Sequence, residues 1–447
     1  MDSRPKRSSG SSTTGSRSED PGWTNSTLEL ASPTSRPGAV GAPSGCWGQT
    51  SGGTPFPSSG SRWRTGSELS NSFRWPSASQ GARDRMTSGV DMLGLTPGEM
   101  EAALASHFRG RGQPAYRAGQ VRDWVFEKLA PDFGAMTNLP RGERDALAGA
   151  FIMVEAEVAT LSSSADGTVK HLWRLGDGEL VESVLIPTED RLTLCISSQA
   201  GCGMGCTFCA TGFGGLRRNL TAGEIAVQYR ASQRWAQEED YGRISNVVFM
   251  GMGEPLANRK ALFPALTILN QGYGVGARRI TVSTVGLVPG ILELAKRPEQ
   301  FRLALSLHAP ESELRGTLIP LEHRYPLPEI MGALRAFDAA GGKRITFEYT
   351  LIGGVNDYEH LAPQLAELAF GLQAFVNLIP FNPIPYQDWE ASPPHRIRMF
   401  AKALEERGVS VAIREPRGRD IDAACGQLRA NALSRGSVSK NAPAIEP

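Results

Sequence analysis

The sequence predicts an α/β protein: a parallel sheet of six βα units curled into a barrel or partial barrel, behind a small helical domain and a disordered N-terminal extension. Three observations predict it. Strand-like runs alternate with helical stretches from Arg191 to Glu406, the pattern of a parallel sheet with crossover helices. Apolar residues recur at helical spacing between Thr96 and Phe151. The first 80 residues contain 47 Ser, Gly, Pro and Thr, which leaves too little apolar surface to offset chain entropy.

Taken in order, residues 1–90 form the low-complexity extension, and Met86 and Met92 at its end mark alternative starts. Residues 91–155 form the helical domain, read from "TPGEMEAALASHFRGRG", "YRAGQVRDWVFEKLA" and "PRGERDALAGAF". Its Arg109, Arg111, Arg117 and Arg122 suit either a phosphate backbone or a solvated helix face. Residues 156–192 read as a β segment leading into the barrel, with alternation at Val169 to Leu175 and Leu180 to Ile186.

Residues 193–428 form the barrel and a C-terminal loop, and residues 429–447 a disordered tail. After "RLTLCIS", the strands are Asn246 to Met250, Arg279 to Thr284, Phe301 to Leu307, Arg344 to Ile352 and Phe375 to Phe381. The helices between and after them are Ala222 to Trp235, Arg259 to Asn270, Val288 to Lys296, Leu327 to Ala339, Glu359 to Ala369 and Pro394 to Glu406. In such folds ligands bind at the C-terminal strand ends.

The net charge is +1 over 447 residues. Through Arg85 there are ten basic and six acidic residues, or +4, so the remainder carries +1 minus +4, or −3. Nucleic-acid binding must therefore rest on local patches. Six cysteines without a secretory leader do not suggest a secreted disulfide framework, and no apolar run approaches the roughly 20 residues that span a bilayer. A soluble, cytoplasmic protein is expected, with Cys46 playing no catalytic part.

Four cysteines crowd into "CISSQAGCGMGCTFCATGFGG". Cys202, Cys206 and Cys209 form Cys-x3-Cys-x2-Cys after the first barrel strand, among glycines 201, 203 and 205 that let the loop fold tightly. Three cysteines are one short of a closed structural site. A zinc site would need a distant fourth ligand such as His308 or Cys425, whereas a four-iron, four-sulfur (4Fe-4S) cluster would keep one iron open for a substrate or cofactor. Buried, unreactive thiols are the remaining reading.

This loop after the first strand resembles that of the radical S-adenosylmethionine (SAM) superfamily. The resemblance implies a 4Fe-4S cluster on Cys202, Cys206 and Cys209, whose open iron chelates SAM. It also implies SAM contacts from Gly253 and Glu254 in "MGMGEPL", Ser283 in "ITVST", Ser306, Leu307 and His308 in "LALSLHA", and Asn382 in "IPFNPIP". A glycine is expected beside SAM for close backbone approach, and Asn382 is expected to bond the adenine or ribose.

Together "CISSQAGCGMGCTFCATG", "GMGEPL", "SLHAP" and "ACGQL" closely resemble the RNA adenine methyltransferases of the RlmN type, over roughly Thr96 to Leu428. The resemblance implies methylation at C2 of adenosine in 23S rRNA and in the tRNA anticodon loop, using two SAM per turnover. It makes Cys425 the S-methylcysteine carrier, Cys195 the resolving thiol that forms a transient disulfide with Cys425, and Glu182 the proton acceptor. One SAM methylates Cys425; a second is cleaved to a radical that activates the S-methyl group for addition to C2, giving a protein–RNA adduct that Cys195 resolves. C2 is electron-poor and non-nucleophilic, so polar methyl transfer should fail there.

A flavodoxin- or ferredoxin-like electron donor and a monomeric state are also expected. Target-base extrusion would be needed to reach the barrel interior. "GLRRN", "GARRI" and "REPRGRD" are basic clusters expected near the mouth, with Phe213 and Tyr386 as candidate aromatic partners. Two alternatives remain: C8 methylation of the Cfr type, and a non-enzymatic RNA-binding protein with a zinc site.

Overall fold

A computed structural model describes residues 89–341 and 344–428. The expected N-terminal extension and C-terminal tail lie outside the described residues, apart from the last two positions of the former.

The main sheet has ten strands: β1 (Glu157–Ser163), β2 (Val169–Arg174), β3 (Leu180–Pro187), β4 (Leu192–Cys195), β5 (Asn246–Phe249), β6 (Ile280–Thr284), β7 (Arg302–Ser306), β8 (Ile345–Leu351), β9 (Phe375–Pro380) and β10 (Val411–Ile413). Spatial order follows chain order throughout. Strands β1 to β4 pair antiparallel, and β4 to β10 pair parallel. The parallel strands wind in one direction, as in a barrel wall that has not closed. Residues at their C-terminal ends share a single cavity, which requires the sheet to curl.

The strands alternate as half-buried sheet should: β6 buries Ile280, Val282 and Thr284 on one side, while Thr281 and Ser283 stay partly open on the other. Helix α4 (Ala222–Glu238) follows the cysteine loop. It starts where Thr221 accepts from the Glu224 amide while Glu224 reaches back to the Thr221 amide, satisfying orphan donors at the helix start. Helix α5 (Arg259–Thr267) runs into a π-helical turn at Ile268–Gly272.

Two features differ from the sequence reading. The β segment read as a linker forms strands β1 to β3 of the same sheet, paired through β3 to the first barrel strand. A seventh parallel strand, β10, pairs with β9; its three residues are too short for a periodic signal.

The helical domain contains α1 (Pro97–Gly110), α2 (Tyr116–Phe126) and α3 (Arg141–Ala150), and its core is continuous with that of the barrel. The join is close. Asp91 is half-buried against Gly223 at the start of α4, and desolvation pushes its carboxyl up to about 6. Arg230 of α4 donates to the Ala130 carbonyl, and Phe126 meets Tyr273 edge-on with ring centroids 5.1 Å apart. A Cβ on Gly272 would lie 2.5 Å from Phe126 Cε1. Gly272→Ala is therefore expected to cost about 1–3 kcal/mol through overpacking, while Gly276→Ala, which meets open space, should be near neutral; urea midpoints of the two variants provide the check.

Candidate active site

The cavity is framed by the cysteine loop and the ends of β5 to β10. Its lining includes Cys202, Cys206, Cys209, Gly253, Glu254, Ser283, Ser306, His308, Glu348, Asn382, Arg414 and Cys425. Residues more than 200 positions apart thus share one space because the strands deliver them to the same end of the sheet.

The cysteine loop is pinned at its base by a hairpin that sequence periodicity did not reveal, pairing Gln199–Gly201 with Leu216–Asn219. Gly201 has φ +76°, and a Cβ there would fall on the Gly215 carbonyl. Gly253 has φ +100°, and its Cβ would come within 2.5 Å of Gln199 Cβ. The glycine after β5 is thus already required by the protein's own packing, before any approach by SAM is considered.

Burial pushes the Cys202 thiol up to about 12 and Cys206 well above its ordinary range. Thiolates in this setting need a cationic group among them. Among the described residues no three His, Cys, Asp or Glu side chains are grouped to hold a single metal ion. An iron–sulfur cluster takes each thiolate on a separate iron, so its donors need not converge on one point, and the three cavity-lining thiols meet that requirement.

Glu254 is buried, which raises its carboxyl to about 7. Its oxygens accept from the amides of Leu256 (3.1 Å) and Val285 (2.9 Å). His308 adopts φ +56°, uncommon for a residue with a side chain, and its Nδ1 accepts from the Thr350 amide at 2.9 Å. Burial, then the charge of Arg315, lowers His308 to about 3, so the ring is neutral and Nε2 carries the proton. Leu307 contributes a fully buried side chain outside the lining, while its carbonyl accepts from Arg315.

Cys425 lies on an irregular loop held by polar contacts. Asn382 Nδ2 donates to the Cys425 carbonyl at 3.1 Å and Asn382 Oδ1 accepts from Arg419 at 2.9 Å. Both ends of that side chain therefore contact the loop, and Asn382 also lines the cavity. Ala210 N donates to the Gly426 carbonyl at 2.7 Å, tying this loop directly to the cysteine loop.

Cys425 is exposed, yet the protein around its thiol desolvates it enough to raise its pKa, against a lowering effect from Arg414. Cys195, on β4, is buried and pushed up to about 12 by desolvation and then by Cys425. Both are free thiols, so no standing disulfide joins them.

Glu182 lies on β3, buried and outside the cavity lining, with Lys170 Nζ 3.2 Å from its carboxylate. Lys170 also donates to the Asp422 carbonyl at 3.0 Å, which links Glu182 to the Cys425 loop.

The basic clusters divide. Arg218 is engaged with Glu224 and Asp177, and Arg419 with Asn382 and the Phe381 carbonyl. Arg278 and Arg279 precede β6 and so lie at the end of the strand away from the cavity, correcting the expected place at the mouth. Arg217 is exposed and Arg414 lines the cavity. Exposed Phe213 and Tyr386 stack on each other with centroids 4.8 Å apart. In the helical domain, Arg111 pairs with Glu143 and Arg122 with Glu101.

Sequence reasoning missed Arg315, on α7 (Ser312–Leu318), which is fully buried beneath the site. It pairs with buried Glu322 and donates to the carbonyls of Leu307, Val285 and Ser306. An arginine in a seven-residue helix gives no sequence signal of this role. Arg315→Met should destabilise the fold by about 3–5 kcal/mol, because it strands a buried carboxylate; chemical denaturation measures it.

Residues 196–362 match the radical SAM superfamily and residues 90–153 the ribosomal RNA large subunit methyltransferase N-terminal domain. The chain is 49% identical over 352 residues to a probable dual-specificity RNA methyltransferase RlmN from Gemmatimonas aurantiaca, covering 78% of this chain and 96% of that protein. It is 45% identical over 338 residues to a protein of the same name from Geobacillus thermodenitrificans, covering 75% and 92%. The crystal structure of a radical SAM methyltransferase from Sphaerobacter thermophilus superposes with TM-score 0.73 at 46% identity, covering 76% of this chain and 99% of that one.

Proposed function

This chain belongs to the RlmN family of radical SAM RNA methyltransferases, and from that premise we propose that it methylates C2 of adenosine in 23S rRNA and in the tRNA anticodon loop, with Cys425 as methyl carrier. The observation that carries the reading is Cys425 and the three loop cysteines lining one cavity. Membership implies a 4Fe-4S cluster and SAM as the cofactors. Cys202, Cys206 and Cys209 would hold the cluster, whose reductive cleavage of SAM supplies the one-electron chemistry that an electron-poor carbon requires.

The chain's own residues do the rest. Gly253, Glu254, Ser283, Ser306 and His308 form the wall against which SAM would be oriented, and the buried Glu254 carboxylate would supply the negative charge that suits an ammonium group. Asn382 fixes the backbone of Cys425, so that its sulfur stands over the cavity. Cys425 takes a methyl group from one SAM; one hydrogen atom of that methyl would pass to the 5′-deoxyadenosyl group supplied by the second SAM, giving 5′-deoxyadenosine, and the remaining methylene on the Cys425 sulfur bonds to C2 of the target base. Glu182 accepts the proton lost from C2, its position coupled to the Cys425 loop through Lys170.

Cys195 then attacks the Cys425 sulfur, releasing the methylated RNA and leaving a transient disulfide that a reductant must open. Two SAM are consumed per turnover. A flavodoxin- or ferredoxin-like protein is the proposed electron donor, and the enzyme is proposed to act as a cytoplasmic monomer. Among the described residues no helix is long and apolar enough to cross a membrane.

Anaerobic turnover of reconstituted enzyme with SAM, reductant and RNA tests the reading. Wild type should yield 2-methyladenosine and 5′-deoxyadenosine, while Cys425→Ala should yield no methyladenosine. RNA methylation by Cys425→Ala at the wild-type rate would overturn the carrier role, and a methyl group at C8 would overturn the regiochemistry.

A further inference from the structure

The steps above leave one buried acid without a task. Glu348 lies on β8, is 4% exposed and lines the same cavity as Cys425. Its Oε1 accepts from Asn377 Nδ2 of β9 at 2.9 Å. Among the described residues its Oε2 has no hydrogen-bond partner, and it forms a loose ion pair with Arg414, whose Nη1 stands 3.8 Å away. Leaving a buried acceptor unsatisfied is costly, and more so when it is charged. That oxygen is the unfilled acceptor of a cavity-lining carboxylate.

Cys425 meets a complementary difficulty. A thiol attacks a methyl group as its thiolate, and the protein packed around the Cys425 thiol raises it above its ordinary range by desolvation. The proton needs a nearby acceptor. Glu254 already has both oxygens on backbone amides; His308 has Nδ1 on the Thr350 amide; Glu182 is paired with Lys170 outside the lining; and Cys195 is itself a buried thiol pushed up to about 12. Glu348 and Arg414 both act electrostatically on Cys425, with opposite signs.

We propose that Glu348 accepts the Cys425 thiol proton as that sulfur takes its methyl group, with Asn377 and Arg414 holding the carboxylate in place. The step rests on the methyl-carrier reading of Cys425, and it balances. The S–H proton passes to Glu348 Oε2, the freed sulfur pair forms the S–CH3 bond, and the methyl–sulfonium bond of SAM breaks with its pair left on S-adenosylhomocysteine. No oxidant or reductant is needed. Arg414 stays cationic beside whichever of the two groups bears the negative charge.

Glu348→Gln keeps the shape and an acceptor for Asn377 while removing the proton acceptor. Peptide mass spectrometry of the holoenzyme incubated with SAM follows S-methylation of Cys425. The Gln variant should be slower by about tenfold or more near neutral pH, within the usual range for loss of a general base. It should recover towards wild type as pH rises and the thiol ionises unaided.

A neighbour acting only through its charge would give the opposite result, because removing a negative charge makes the thiol more acidic and its methylation faster. Wild-type or faster methylation would overturn the proposal, as would a pH-independent loss accompanied by a raised KM for SAM. Independently, alkylation of Cys425 by iodoacetamide in cluster-free protein should need higher pH in Glu348→Gln than in wild type; an unmoved profile, or one moved to lower pH as a charge effect alone would give, also overturns it. If wild type never acquires S-methylcysteine while the alkylation profile does shift, the carrier reading has failed even though the two side chains interact, and the proposed step falls with it.

Discussion

Everything at this site depends on one constraint: the parallel strands must end together. Cys202 and Cys425 are separated by most of the barrel's sequence and meet only because β4 to β10 run side by side and deliver their following loops to the same end. The cavity then collects one or two polar residues from each strand end. No single element builds it, so its geometry is as rigid as the sheet beneath it. Buried Arg315 reinforces that base by taking three carbonyls from two neighbouring strand ends.

The Cys425 loop is held differently. It has little regular structure and is fixed by side chains from distant segments: Asp166 accepts from the Gly418 amide, Ser164 donates to Asp420, Lys170 donates to the Asp422 carbonyl, and Gln427 donates to the Pro383 carbonyl. The antiparallel strands β1 to β3 and their turns therefore have a clear structural role, bracing the loop that carries Cys425 from the side of the barrel. A loop braced by hydrogen bonds can open at lower free energy than a packed core. That suits a position that must meet both a small molecule and a large nucleic acid.

Much of this was legible in the sequence because it depends on local pattern. Barrel strands and helices announced themselves by alternation and by 3.6-residue spacing; helix Leu327–Ala339 matches the expected bounds, and most others agree to within three residues. The Cys-x3-Cys-x2-Cys loop is a local motif, so its thiols could be grouped without a structure. Features set by tertiary contact were not legible. Strand Val411–Ile413 is too short to show a period, Arg315 and Glu348 become notable only once their burial is known, and the hydrogen bond from Asn382 to the Cys425 carbonyl joins residues 43 apart in sequence. The tight fit at Gly253 likewise depends on Gln199, more than 50 residues earlier.

The central claim is that Cys425 and Cys195 act in sequence on one RNA-bound intermediate. Incubating Cys195→Ala with RNA, SAM and reductant, then digesting and sequencing the protein by mass spectrometry, tests it most directly. The account predicts a nucleotide joined to the Cys425 peptide that survives denaturation, because the thiolate that should release it is gone. Methylated RNA released at the wild-type rate, with no nucleotide on Cys425, would contradict it.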